Sequence, residues 1–395
     1  MENDNRKSDR LLKALSYVLV AVIASCLTFL VCLVTIGRTS KLEQLEKLIQ
    51  QCFIGQADTT AMEDAAAAAM VDSLGDQWSY YVPASEYDAL LDQLGNSYVG
   101  IGITIEEEET GGLLVVQLSP GGGAETAGIQ VGDIVIGVGG QSISEIGSTA
   151  ATNLIRGEEG TSVSVAVLRD GTELTFQVVR RLIEVPVAQG KMLEGNVGYV
   201  RIANFDERCA QETIAAVDAL VEQGAVALIF DVRFNPGGYT TEMVEVLDYL
   251  LPEGPLFRTV DYLGNDETQY SDAECIQLPM AVLINEYSIS AAEFFAAALN
   301  EYDRAMLVGE PTTGKGYFQS LFPLKDGSAV GLSIGKYFTP NGVSLADAKG
   351  LTPEVIVEVD EETFARIYAG DLEPEEDPQL QKALAALKNE KDAAS

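Results

Sequence analysis

The sequence predicts a multidomain chain of mixed α+β and α/β class behind one N-terminal transmembrane helix. Three observations predict this. Tyr17 to Ile36, "YVLVAVIASCLTFLVCLVTI", runs for 20 residues without a charge. From Ser97, short β-like runs such as "YVGIGITI", "LLVVQL" and "DIVIGVGG" are separated by glycines. From Val197, strand-like and helix-like runs alternate: "VGYVRI", "AQETIAAVDALVEQG", "AVALIFDVR", "TTEMVEVLDYLL", "MAVLIN". Such alternation indicates βα units around a mostly parallel sheet. The expected divisions are 1–40 (stub and anchor), 41–96 (helical), 97–180 (β-rich), 181–372 (αβ core) and 373–395 (acidic linker and helix).

The apolar run is long enough to cross a bilayer, since 20 helical residues span about 30 Å. Arg6, Lys7, Arg10 and Lys13 precede it and Arg38 and Lys41 follow it. The basic excess places the short N-terminal side in the cytoplasm and the rest outside, as a single-pass cell-membrane protein. "IASC", ending at Cys26, resembles a lipoprotein signal box, but ten more uncharged residues follow it. No A-x-A site follows either, so an anchor is expected in place of a cleaved leader. Next, "KLEQLEKLIQQCF" carries apolar residues at helical steps and "TTAMEDAAAAAMVDSL" is alanine-rich. Residues 40–95 and 373–395 are the segments expected to join subunits in a homodimer or higher homo-oligomer.

Composition removes several functions. With 25 Lys and Arg against 60 Asp and Glu, the formal charge is −35. Nucleic acid is a poor partner for such a chain. There is no histidine, which excludes Ser-His-Asp and Cys-His catalysis and imidazole zinc sites. Five cysteines without CxxC spacing give no disulfide framework. No metal or cofactor is called for.

In 97–180, the glycines of "YVGIGI" (98–103) would let successive N–H groups form a nest for a carboxylate. A chain end could then add as a strand here, against a helix near Ala150 and Leu154. Together with "SPGGGAETAGIQVGDIVIGVGGQSI" (119–143) and the helix ending "LIRG", this block resembles a PDZ domain of the bacterial kind. The resemblance implies that Val99, Gly100, Ile101, Gly102 and Ile103 hold a peptide C-terminus.

Further on, "AVLIN" reads as a buried strand and "AAEFFAAALNEY" as a helix, so Ser288 and Ser290 sit on the turn between them. N–H groups at that helix start are free to hold a developing oxyanion. Lys315 stands 25 residues after Ser290 (315 − 290), and Gln319 four residues later. Without histidine, Lys315 is the base these residues offer. Lysine is protonated at neutral pH, and a base role needs a pKa of roughly 7–8, a difference worth about 4 kcal/mol. Desolvation would supply it, with Tyr317, Phe318 and Phe322 as the expected apolar neighbours. "GEPTTGKG" (309–316) mimics a phosphate loop, but Gly316 replaces the hydroxyl residue that would bind Mg²⁺.

Together, "SISAAE" (288–293) and "GKGYFQ" (314–319) resemble the core of the carboxyl-terminal processing peptidases. These are the tail-specific serine proteases of peptidase family S41, with a crotonase/ClpP-like αβ core. "FDVRFNPGG" (230–238), "DQWSYYVP" (76–83), "KYFTPNGVSL" (336–345) and "DPQLQKAL" (377–384) also look like family segments. The resemblance implies Ser290 as nucleophile, Lys315 as general base and Gln319 as the residue positioning it. It implies Gly237, or failing that Gly238, and Ala291 as oxyanion donors. Ile289 and Ala292 depart from the family's usual Ala and Ser. The expected substrates are proteins with apolar C-terminal tails. A catalytically inactive PDZ scaffold is the alternative function class, and an acyl-CoA enzyme of crotonase type leaves the β-rich block unexplained.

Overall fold

The computed structural model describes residues 15–28, 40–108 and 111–394, which fall into two compact units divided after Gly75. In the first unit, residues 15–28 form a helix with every side chain exposed. The rest of the expected span, residues 29–36, lies outside the described residues. Among the described residues, no helix is long and apolar enough to cross a membrane. The helix Lys41–Cys52 starts in a capping box: Ser40 Oγ accepts from Glu43 N and Glu43 Oε2 accepts from Ser40 N. The alanine-rich helix Thr59–Asp72 is capped by Asp58, and neither helix buries a residue.

The centre of the second unit is a six-stranded sheet ordered Ala188–Leu193, Val197–Ile202, Ala227–Asp231, Met280–Ile284, Ala305–Gly309, Val355–Ile356. The first pair is antiparallel and the rest are parallel. Ala227–Asp231 and Met280–Ile284 are buried at every position, as sheet strands covered on both faces must be. Alternate residues serve the two faces. Leu228, Phe230, Val282 and Ile284 pack with the helices Cys209–Glu222, Thr240–Leu250 and Ala291–Glu301. Ala227, Ile229, Ala281 and Leu283 pack instead with Leu380, Ala383 and Leu387. The C-terminal helix Pro378–Ala394, expected from the sequence after an acidic linker, therefore completes the core. Asp377 and Gln379 at its start are buried.

A second, antiparallel sheet borders this core. In it Ala329–Phe338 pairs with Tyr80–Val82, Gly254–Asp261 and Tyr317–Pro323. A register shift between Phe318 and Gln319 places Gln319 opposite Ser333.

The glycine-punctuated module has a sheet ordered Ile103–Glu107, Leu113–Leu118, Ile134–Val138, Ser162–Arg169, Thr172–Val179. It has its own core around Ile101, Val115, Val135 and Val165. Its two ends pair as Ser97–Gly100 with Arg181–Glu184. There Arg208 donates to the carbonyls of Gly95, Asn96 and Val185, and Asn96 and Asn204 exchange side-chain amide bonds. The module is thus clasped to the turn that precedes the helix Cys209–Glu222.

Candidate active site

The two serines of the strand-to-helix turn have different surroundings. Ser288 is fully buried; its Oγ donates to Val232 O at 2.8 Å and accepts from Asn285 N at 3.0 Å. That hydroxyl ties the turn to the neighbouring strand end. Ser290 lies at φ 59°, ψ −120°, a conformation that non-glycine residues seldom adopt and that favours functional sites. It stands directly before the helix Ala291–Glu301.

Glu293, fully buried in the first turn of that helix, binds the two motifs together. Its Oε2 accepts from Ser290 N (2.9 Å) and Lys315 N (2.8 Å), and its Oε1 from Thr312 Oγ1 (2.6 Å) and Gly314 N (2.7 Å). Four donors on one carboxylate fix the separation of the serine and lysine backbones. Gly314, at φ +88°, is required here: a Cβ would lie 2.5 Å from Gly350 N.

Burial pushes the Lys315 amine below its ordinary value, with the Glu293 and Asp76 carboxylates opposing. The ring beside it is Trp78, with Nζ 5.1 Å from the centroid. The three rings expected beside it have other contacts or exposure of their own. Phe318 stacks on Tyr337, the Tyr317 ring faces Lys336, and Phe322 is exposed. Gln319 Nε2 donates to Ser333 Oγ (3.0 Å) and Tyr317 O (3.2 Å). Among the described residues, no hydrogen bond joins Lys315 Nζ to Ser290 Oγ or to Gln319. The backbones are assembled, and the side chains are not yet in line.

Gly237 sits against the serine: a Cβ there, at φ +100°, would lie 2.8 Å from Ser290 Cβ and from Ile289 O. Its own N–H, however, donates to Asn235 Oδ1 at 2.9 Å. The N–H groups of Ala291 and of the next residue, Gly238, have no partner among the described residues. In the β-module, Val99 and Gly100 pair with Leu182 and Arg181, so these two lie in a strand ladder. Ile101 is a core residue whose carbonyl accepts from Ala124 N. Gly102 turns at φ +75°, and Ile103 opens the strand Ile103–Glu107 at one edge of its sheet. Each of these two strands is paired on one side, Ser97–Gly100 in a two-stranded sheet and Ile103–Glu107 at the end of its sheet, so both leave a side open to pairing.

Sequence reasoning assigned no role to Glu293, Asp76 or Trp78. Glu293 carried a signal in its position three residues after a hydroxyl residue at a helix start. The other two lie in a quoted segment distant in the chain.

The geometry agrees with comparisons to known proteins. The peptidase family S41 pattern matches residues 196–357 and the PDZ domain pattern matches residues 90–168. The carboxy-terminal processing protease CtpA of Bacillus subtilis is 33% identical over 81% of this chain and 70% of its own. The carboxyl-terminal-processing protease of Synechocystis is 31% identical over 82% of this chain and 76% of its own. A solved structure titled photosystem II D1 C-terminal processing protease covers 81% of this chain and 87% of that one at 27% identity, with a TM-score of 0.46. A strained serine at a helix start, a half-buried lysine tethered to the same carboxylate, the two family patterns and the two curated relatives lead to one assignment: the chain belongs to peptidase family S41, as a carboxyl-terminal processing serine endopeptidase with a PDZ domain.

Proposed function

We propose that this endopeptidase is anchored in the cell membrane by its N-terminal apolar segment, with the N-terminus cytoplasmic and the protease domain outside. It captures apolar C-terminal tails in the PDZ module and cuts upstream of them with a Ser–Lys dyad. The observation that carries the chemistry is the shared carboxylate, which holds the Ser290 turn and a partly desolvated Lys315 in one frame. Ser290 Oγ attacks the scissile carbonyl while Lys315 Nζ takes its proton and passes it to the leaving amine. Water then hydrolyses the acyl-enzyme. Gln319 swings from Ser333 to orient the Lys315 amine. The oxyanion is held by the N–H groups of Ala291 and Gly238, because Asn235 already occupies the Gly237 N–H.

Tail binding is proposed to switch the dyad on. The turn that clasps the module's two ends also touches the oxyanion loop: Phe205 N donates to Gly237 O and Tyr239 N to Phe205 O, both at 2.7 Å. A shift of the module would be felt at that loop, so that a bound tail favours the aligned state. Homodimer formation through the exposed Leu42, Leu45 and Leu48 of the first unit is part of the same proposal.

The test uses the full-length chain, wild type, Ser290→Ala and Lys315→Ala, with an unfolded protein ending in apolar residues and the same protein ending in charged ones. Cleavage by wild type alone, faster for the apolar tail, is the expected result. Tail binding without cleavage by any form would instead identify a scaffold. Fractionation of cells expressing the chain with and without residues 15–36 tests the anchor, and release of the shortened chain from membranes is expected.

A further inference from the structure

We propose that Asp76 and Trp78 are positioning residues for the general base: they hold the Lys315 side chain in its resting place and set how readily it sheds its proton. The proposal rests on Lys315 being that base. The Trp78 ring is the aromatic face against the amine, 5.1 Å from centroid to Nζ. Such a face attracts an ammonium and not a neutral amine. Asp76 is held in the same segment, with its carboxylate accepting from Ser79 Oγ (2.6 Å) and Trp78 N (3.1 Å).

The segment is also wired to Gln319. Ser333 N donates to Ser79 Oγ at 3.0 Å and Ser333 Oγ accepts from Gln319 Nε2 at 3.0 Å. Burial opposes ionisation of Asp76, yet its own hydrogen bonds hold its carboxyl below the usual range, so it is charged at neutral pH. Two carboxylates thus act on the Lys315 amine, Glu293 from the serine-bearing helix and Asp76 from this segment. Glu293 already takes four donors, two of them the backbone of Gly314 and Lys315. With Glu293 committed to its backbone donors, Asp76 and Trp78 are the further partners that favour the charged amine over the neutral one. They offset the desolvation that would make Lys315 a base, and removing either should free the amine at lower pH.

Two measurements test this on the full-length chain. Trp78 is the only tryptophan, so its fluorescence reports the contact without any turnover. Its emission, followed as pH rises to the ordinary lysine range, should change in wild type and stay flat in Lys315→Met. Identical courses in the two proteins would overturn the contact. The pH profile of kcat/KM is then compared for wild type, Asp76→Asn and Trp78→Leu. Each substitution should move the rising limb to lower pH and raise the rate at neutral pH roughly three- to tenfold. A merely structural role would lower the whole curve without moving the limb, and that result would reject the proposal. If wild type cleaves nothing, the proteolytic reading fails by itself, while the fluorescence comparison still decides whether Trp78 holds the Lys315 charge.

Discussion

Two cations in the protease core are drawn away from water, Arg233 buried and Lys315 half-buried, and their surroundings differ in one respect. Arg233 is 4% exposed and all five of its donors are filled: two bonds to Asp231, two to Asp377 and one to Gln379. Burial opposes its charge, but Asp231 and Asp377 more than offset this and push its pKa further up. Lys315 is partly desolvated, yet among the described residues its Nζ makes no hydrogen bond to a carboxylate, and burial prevails over Glu293 and Asp76. Complete pairing turns a buried cation into a fastener. Incomplete pairing leaves one whose proton can move.

The largest expected effect breaks the reactive member. Lys315→Met should lower kcat/KM by about 10²- to 10⁴-fold, the usual worth of a general base. Ser290→Ala should lose at least as much. Both are read with a quenched peptide ending in an apolar tail, and residual activity above one tenth of wild type would remove either residue from the mechanism. Breaking the fastener should instead unfold the protein. Arg233→Met leaves Asp231 and Asp377 buried without their partner, at a cost of about 3–5 kcal/mol in a urea titration. The C-terminal helix should become protease-sensitive first, because Asp377 and Gln379 bind it to that guanidinium.

Stability sharpens the contrast further. The folded state holds the Lys315 proton less tightly than the unfolded chain does. The burden is therefore fully present below the folded pKa and is relieved as pH rises to about 10.5. Lys315→Met should be at least as stable as wild type at pH 7, with the gain vanishing near pH 10.5. A loss of stability there would place Lys315 with Arg233 as a structural cation.

The smallest effect is expected at Asp206. Its Oδ1 is buried without a partner, and burial, with Glu207 and Glu242, pushes its pKa up to about 7. The folded state thus binds more protons between pH 4 and 7, and stability falls as pH rises through that window. Asp206→Asn should be neutral at pH 4 and gain about 1–2 kcal/mol at pH 8, after allowance for solvent screening. Equal denaturation midpoints at both values would mean that Asp206 is ionised and solvated throughout.

Much of the site was legible because its chemistry is local. A serine turn at a strand end, a helix with free N–H groups and a lysine between glycines are all short-range patterns. The parallel core was legible for the same reason, through alternating apolar strands and amphipathic helices. The place of the C-terminal helix in the core was not, because an acidic, proline-containing approach reads as a linker until Asp377 is seen beside Arg233. Nor could Trp78 be matched to Lys315, since no periodicity connects residues more than two hundred positions apart. Gly237 was chosen as a donor from its motif, and only the position of the Asn235 side chain shows that its N–H is occupied.

By itself the sequence determined which groups were available. The lack of histidine left lysine as the base, the hydroxyl turn supplied a nucleophile, and the glycine spacing allowed close backbone approach. Tertiary structure decided the state of those groups. Folding buried one cation among complete partners and half-buried the other beside a ring and two carboxylates. Solvation and pairing depend on what the fold brings alongside, and residue type alone does not specify that.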